Sequence, residues 1–321
     1  MSKNNYLLFI ALIFCIGKTV AQQVPSVEEK IPFICTFSKS ADKQWGDDDF
    51  VQTFFFVIPE SYKKPVYIRI YDPETGGSHD ENHGPFNSKT KFSVYGGSKA
   101  HSDPDAKSPD PTGNYKSGVL LGARTFSNEK NYDNSWVSMG PFNPIEGELQ
   151  NDIGGRVFKV VIEGLEGDDG NLYRLFLSSE PEENKPVEGG NGFAYEYSFR
   201  LAETKGSVSH LYPFVEKNVT AVKIKVFDYD NDGVIRVVSV AKKGDINQPS
   251  QEAKWMESTH KISRAEISTS LDIQFIKQKD VKNNNIVVFI SNQYGELMPF
   301  FTSPIGGVPK YSYKIGVKVE E

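Results

Sequence analysis

Apolar and polar residues alternate one by one in many short runs of this chain, a pattern that suits a strand and not a helix. Phe193, Tyr195, Tyr197, Phe199 and Leu201 alternate with Ala194, Glu196, Ser198 and Arg200, and the last run repeats this through Tyr311, Tyr313, Ile315, Val317 and Val319. A period of two buries one face of a strand and wets the other. Similar runs predict strands at 54–58, 66–71, 91–95, 119–126, 156–162, 172–177, 271–276 and 286–290, with Gly, Pro, Asn and Asp clustered between them. The stretch 250–266 is the one candidate helix, and it reads equally as a loop. Many short strands with turn punctuation predict an all-β fold of antiparallel β-sandwiches, of jelly-roll or immunoglobulin-like type.

The two halves resemble each other. Val66-Tyr67-Ile68-Arg69-Ile70-Tyr71-Asp72 matches Val222-Lys223-Ile224-Lys225-Val226-Phe227-Asp228, each run ending on an aromatic residue and then Asp. The runs at 171–178 and 285–291 match in turn, as do those at 193 and 311, which makes an internal duplication an expectation. Length suggests two domains: residues 22–204, and 207–321 after a short Thr204-Lys205-Gly206-Ser207 linker. The first half carries extra length at 73–117, a polar insertion with breakers such as Pro109-Asp110-Pro111-Thr112-Gly113. A long irregular loop of this kind is where recognition is expected.

Residues 1–21 read as a signal peptide. Lys3 precedes an apolar run from Tyr6 to Ile16, and Thr19-Val20-Ala21 offers small residues before Gln22. The run is too short to span a bilayer, so no transmembrane segment is expected in the mature chain. Export places the protein in the periplasm, at the outer membrane or outside the cell. Removing the segment takes away Lys3 and Lys18 and no acid, so the formal charge of −6 gives way to 34 basic against 42 acidic residues. That sign disfavours nucleic acid as a partner. Cys35 is then the sole cysteine, so an internal disulfide is ruled out, and its Ile34-Cys35-Thr36 setting points to an inert buried thiol.

Asp228-Tyr229-Asp230-Asn231-Asp232-Gly233 sets three carboxylates at alternate positions and closes them with glycine. Hard oxygen ligands at that spacing suit calcium, although the EF-hand position twelve holds Ser239 where a bidentate Glu belongs. A calcium-type β-turn on Asp228, Asp230 and Asp232 is therefore expected in place of an EF-hand. Asp72, with Glu74, Asp80 and Glu81 after it, and the turn containing Asp168 and Asp169 offer further carboxylates that loops at one end of a sandwich could pool into a second calcium site.

Reaction signatures are missing. His79-Asp80-Glu81-Asn82-His83 lacks the Glu that follows the first His in zinc proteases, and the surrounding glycines forbid the helix that motif needs. The chain has no nucleophile elbow, phosphate-cradling loop or dinucleotide fingerprint. A non-enzymatic binding role is the expectation. Aromatic residues make up 12% of the chain; most belong in cores, but Trp45, Trp136 and Trp255 sit among polar neighbours and could stack on a sugar or anchor a protein. Trp136, Asp80 and Glu81 are the candidate binding residues.

Several local motifs carry a family resemblance. Gly113-Asn114-Tyr115-Lys116-Ser117-Gly118, Gly167-Asp168-Asp169-Gly170-Asn171-Leu172-Tyr173-Arg174, Glu188-Gly189-Gly190-Asn191 and Asn292-Gln293-Tyr294-Gly295-Glu296-Leu297 resemble the amino-terminal β-rich region of large Gram-negative envelope proteins. Those proteins end in a peptidoglycan-binding domain like that of outer-membrane protein A, which has no counterpart among these 321 residues. The resemblance implies an envelope setting. The expected function is an exported envelope protein whose calcium-stabilised loops bind a partner protein or surface glycan. The alternative is a carbohydrate-binding accessory module of a hydrolase system.

Overall fold

The structure, a computed structural model, describes residues 22–311. The expected signal peptide, and the expected last strand beyond Tyr311, lie outside the described residues.

The expected all-β architecture is present, and the chain traces the same path twice. The first circuit runs through β1 (Gln23–Val24), β2 (Phe33–Phe37), β3 (Val51–Pro59), β4 (Val66–Tyr71), β5 (Lys89–Gly96), β6 (Val119–Phe126), β7 (Trp136–Phe142), β8 (Glu148–Gln150), β9 (Gly155–Glu166) and β10 (Gly170–Ser178). After β11 (Asn191–Ala194), the second comprises β12 (Glu196–Arg200), β13 (Val208–Leu211), β14 (Ala221–Phe227), β15 (Gly233–Val238), β16 (Asp245–Asn247), β17 (Trp255–Lys261), β18 (Asp272–Lys277) and β19 (Asn285–Asn292), followed by β20 (Phe300–Phe301). In the first circuit β7-β4-β10-β2 are neighbours in one sheet and β3-β9-β5-β6 in another; in the second, β17-β14-β19-β12 and β13-β18-β15-β16 repeat both orders. This is the jelly-roll path, two facing sheets woven from alternate segments of the chain. The pairs expected from sequence, 66–72 with 222–228 and 171–178 with 285–291, occupy equivalent positions as β4 with β14 and β10 with β19.

The two circuits are fused edge to edge. β2 pairs antiparallel with β12, through Phe199 opposite Ile34 and Arg200 opposite Phe33, so the two inner sheets form one nine-stranded sheet. The Thr204–Ser207 segment expected as a linker joins the first and second strands of the second circuit and does not separate the two sheets.

Register shows why a single core results. Ile224 lies opposite Ile290, Val226 and Tyr197 opposite Val288, Phe199 opposite Ile286 and Ile34, Ile34 opposite Tyr173, and Leu175 opposite Ile70. Directly opposed residues share a face, so these side chains line one side of the long sheet. Phe54, Phe56, Phe92 and Ile162 of the seven-stranded sheet cover one half, and Ile235, Ile273 and Phe275 of the four-stranded sheet cover the other. β3 is buried on both faces: Phe54 and Phe56 face this core, while Phe55 and Val57 join Phe193, Tyr195 and Phe301 in an outer cluster. The alternating run expected as one strand at 193–201 bends at Tyr195 and passes from the outer sheet to the inner one, so its odd-numbered aromatics are divided between the two clusters.

Two expectations change. The candidate helix at 250–266 contains β17, whose seven residues all pair with β14. It is an exposed edge strand, and an edge wetted on both faces loses the alternation that marks a strand. The 73–117 insertion is not an irregular loop, because it contains β5, which lies between β9 and β6. The rest of it is pinned: Glu148 accepts from the backbone N–H of Lys99, His101 and Ser102, and Lys159 donates to the Tyr115 carbonyl. Among the described residues, no helix is long and apolar enough to cross a membrane.

Candidate functional site

The insertion and the second circuit meet at a groove of about 420 Å³. Its floor is Trp255, Phe289 and Lys225 of β17, β19 and β14, and its far wall is Asp48, Pro109 and Asp110. Trp255 packs at a tilt of 43° against Phe227 with ring centroids 5.3 Å apart and meets Phe289 edge-on at 5.1 Å, yet it stays 40% exposed. The indole is thus held rigidly with much of its surface in solvent. Lys225 lies 5.2 Å from the Phe289 ring and 3.7 Å from Glu257, so a cation and an acid border the aromatic floor.

Behind the Pro109 lip lies a narrower recess lined by Asp49, Glu196, Tyr195, Tyr115 and Lys107. Asp49 comes from the turn before β3 and Glu196 opens β12, so both circuits contribute. Burial, then repulsion from Asp47 and Asp48, raises the Asp49 carboxyl well above its ordinary value; burial, then Asp49 and Asp48, does the same to Glu196. Burial raises Asp48 to about 6. Burial also raises Asp47 to about 7, and its oxygens accept from the N–H groups of Phe37, Asp49 and Phe50 and so build the turn.

A second acidic centre joins Asp72 and Glu74, just past β4, to Asp133 in the β6–β7 connection, with one carboxylate oxygen from each lying within 4.8 Å of the others. Asp72 adopts a left-handed φ of 56°. Asp72 Oδ1 accepts from the Asn134 N–H at 2.9 Å and Glu74 Oε2 from the Glu129 N–H at 3.1 Å. Burial raises Asp72 to about 6 and Glu74 to about 7, with Asp133 repelling both.

The residues expected as ligands are dispersed. Asp228 and Asp230 meet side chain to side chain, but Asp232 does not join them in a three-carboxylate cluster: it is engaged by Lys279 at 2.9 Å and Asn284 at 2.8 Å, while Asp228 also accepts from the Ala253 N–H. Their loop crosses from β14 in one sheet to β15 in another, with left-handed φ at Asp228, Asp230 and Asn231. Asp169 is saturated by the N–H groups of His83 and Asn87 and the Ser88 hydroxyl, and it and Asp168 stand apart from the cluster containing Asp72. Pooling of loop carboxylates does occur, but with Glu74 and Asp133 as the partners of Asp72.

The expected binding residues are built into the scaffold. Trp136 lies under Arg69 at 5.4 Å and against Tyr71 and Phe176. Asp80 accepts from the N–H groups of Gly76 and Leu172. Glu81 is buried and bonds to Arg200 and, at 2.9 Å, to Asn285. Asp48, Asp49, Glu196 and Asp133 escaped sequence reading. The run Asp47-Asp48-Asp49 directly after Trp45-Gly46 was the available signal.

These carboxyls give the protein a pH signature. Burial also raises Glu29 to about 8 and Asp228 to about 7. A carboxyl raised on folding binds more proton in the folded state, so its stabilising effect is present at low pH and is lost as pH rises through the folded value. Lys159, lowered by burial to about 8, works the other way but has regained most of its proton by pH 7. In chelator, the melting temperature is therefore expected to fall between about pH 6.5 and 7.5. Calorimetry at both pH values checks this, and a rising melting temperature would contradict it.

No family model matches the chain, and no curated protein matches it. Among solved structures, chains of the T=3 and T=1 Penaeus vannamei nodavirus each align with 84% of this chain and with 84% and 94% of their own, at 8% and 10% identity and TM-scores of 0.23 and 0.20. A Macrobrachium rosenbergii nodavirus chain aligns over 82% of this chain and 88% of its own, at 7% identity and a TM-score of 0.17. Scores of this size carry no argument about this chain.

Proposed function

We propose that this is an exported, non-enzymatic cell-envelope protein that binds a surface glycan in the groove floored by Trp255. The observation carrying this reading is an exposed indole with the acceptors Asp48 and Asp110 across the groove and the donor Lys225 beside it. Sugars present an apolar ring face to stack and a rim of hydroxyls that need both kinds of hydrogen bond. Size favours a glycan over a protein partner: about 420 Å³ is the volume of a small-ligand site, whereas a stable protein interface needs roughly 800 Å² per partner. The leader-like residues 1–21 and the resemblance to envelope proteins support the address. The same groove would serve an accessory carbohydrate-binding module, which would prefer soluble polymer over envelope glycan.

A glycan array followed by calorimetric titration tests the reading. Trp255→Ala is expected to weaken glycan binding about tenfold or more, and Trp136→Ala to leave it unchanged. Equal affinity in the wild type and Trp255→Ala would refute the groove as the site.

A further inference from the structure

We propose that Asp72, Glu74 and Asp133 bind a calcium ion that ties the β4–β5 connection to the β6–β7 connection. Two observations converge on this cluster. The first is composition: three carboxylates from two loops approach within 4.8 Å, and each is an oxygen donor with no Cys or His among them. Hard oxygen donors select calcium or magnesium over transition metals.

The second is an unmet bonding requirement. Asp72 is 0% exposed and Glu74 1%, yet among the described residues Asp72 Oδ2 and Glu74 Oε1 have no hydrogen-bond partner. Each residue spends one oxygen on a backbone N–H of the opposite loop and keeps the other free beside its neighbours' charges. Asp133 opposes the charge on Asp72 more than either His79 or Arg174 alone relieves it. Buried carboxylates without a partner are costly, and a divalent cation would satisfy both free oxygens and offset the repulsion.

The backbone is shaped to enclose the cluster. A Cβ on Gly76 would stand 2.7 Å from Glu74 Oε2 and 2.9 Å from Asn128 Oδ1, and one on Gly77, whose φ is +73°, would collide with the Asp133 carboxylate. Two successive glycines therefore let the chain close over the carboxylates, and they bring the Asn128 amide oxygen to the same place. Loop-borne ligands form a flexible cage, which calcium accepts more readily than magnesium does.

The test is thermal unfolding of the mature chain, residues 22–321, after chelator treatment, with calcium chloride or magnesium chloride added back. Calcium at about a hundredfold its Kd is expected to raise Tm by about 4 °C, and titration calorimetry should give one site per chain. Glu74→Gln and Asp133→Asn should each lose most of that shift while Asp230→Asn retains it. In chelator, Glu74→Gln should melt no lower than the wild type, because it removes a buried repulsive charge without changing shape; this guards against a variant that is merely misfolded. No calcium shift in the wild type, a full shift in Glu74→Gln and Asp133→Asn, a shift abolished by Asp230→Asn, or an equal shift with magnesium would each overturn the assignment.

Discussion

Excising residues 78–112 and bridging the gap with a short Gly/Ser linker is expected to abolish cooperative folding. The excision takes out β5, which pairs with β9 on one side and β6 on the other, and with it the fully buried Phe92 and Val94. Truncating one buried Phe alone costs about 3–5 kcal/mol, against a total stability for a typical domain of about 5–15 kcal/mol. Removing the strand also strands the edge of β6 and deletes Glu81. Urea unfolding followed by fluorescence checks the outcome; a sharp transition near the wild-type midpoint would contradict the place of β5 in the sheet.

Arg200→Ala is expected to destabilise the chain by about 3–5 kcal/mol, the usual cost of breaking a buried ion pair from one side. Arg200 and Glu81 are each less than a tenth exposed, and their side chains meet where β12 abuts β2. Arg200 also donates to Asn285 at 2.9 Å, and Asn285 donates to the Trp45 carbonyl at 2.8 Å. The alanine variant would leave the buried Glu81 without its guanidinium partner, with Asn285 at 2.9 Å and His83 at 3.4 Å as its neighbours. Replacing both Glu81 and Arg200 by leucine should recover much of the loss, since a well-packed apolar pair often matches a buried ion pair. Equal midpoints for the wild type and Arg200→Ala in urea would show that the network contributes nothing.

Strands were legible in the sequence where one face is buried and the other wet. β4 falls on the expected residues, and β14 on all but one, because Val66, Ile68 and Ile70, like Val222, Ile224 and Val226, are buried at every second position. β17 was not legible, since an edge strand has little burial to report. Alternation also says which face is buried but not against what. The run at 193–201 has the same period throughout although it changes sheets at Tyr195. The fusion of β2 with β12 involves two residue pairs about 165 positions apart, too few to leave a pattern.

The acidic centres were legible as local runs and not as sites. Asp228 to Asp232 has ligand spacing along the chain, but Lys279 and Asn284 claim Asp232 from a segment about fifty residues away. Asp72 finds Asp133 because β4 and β7 are neighbours, a relation set by Ile70 opposite Val137 and Tyr71 opposite Trp136. Carboxylate pooling follows strand order, and strand order is a property of the whole sandwich.

The joining of β2 to β12 bears on edge-to-edge aggregation. A lone jelly roll exposes the outer strands of its sheets, and unpaired strand edges recruit other chains into aggregates. Here the inner sheet of each circuit offers β2 or β12 as one such edge, and each covers the other. Among the described residues, the two ends of this long sheet left open are β7 and β17. β7 carries Pro141, which has no N–H to donate, and its pairing with β4 slips in register near Val66. β17 presents the exposed charged groups Glu257 and Lys261, which discourage pairing of like strands. Doubling the roll thus closes two edges that would otherwise be sticky and leaves at the rims two strands that a second copy would find hard to extend.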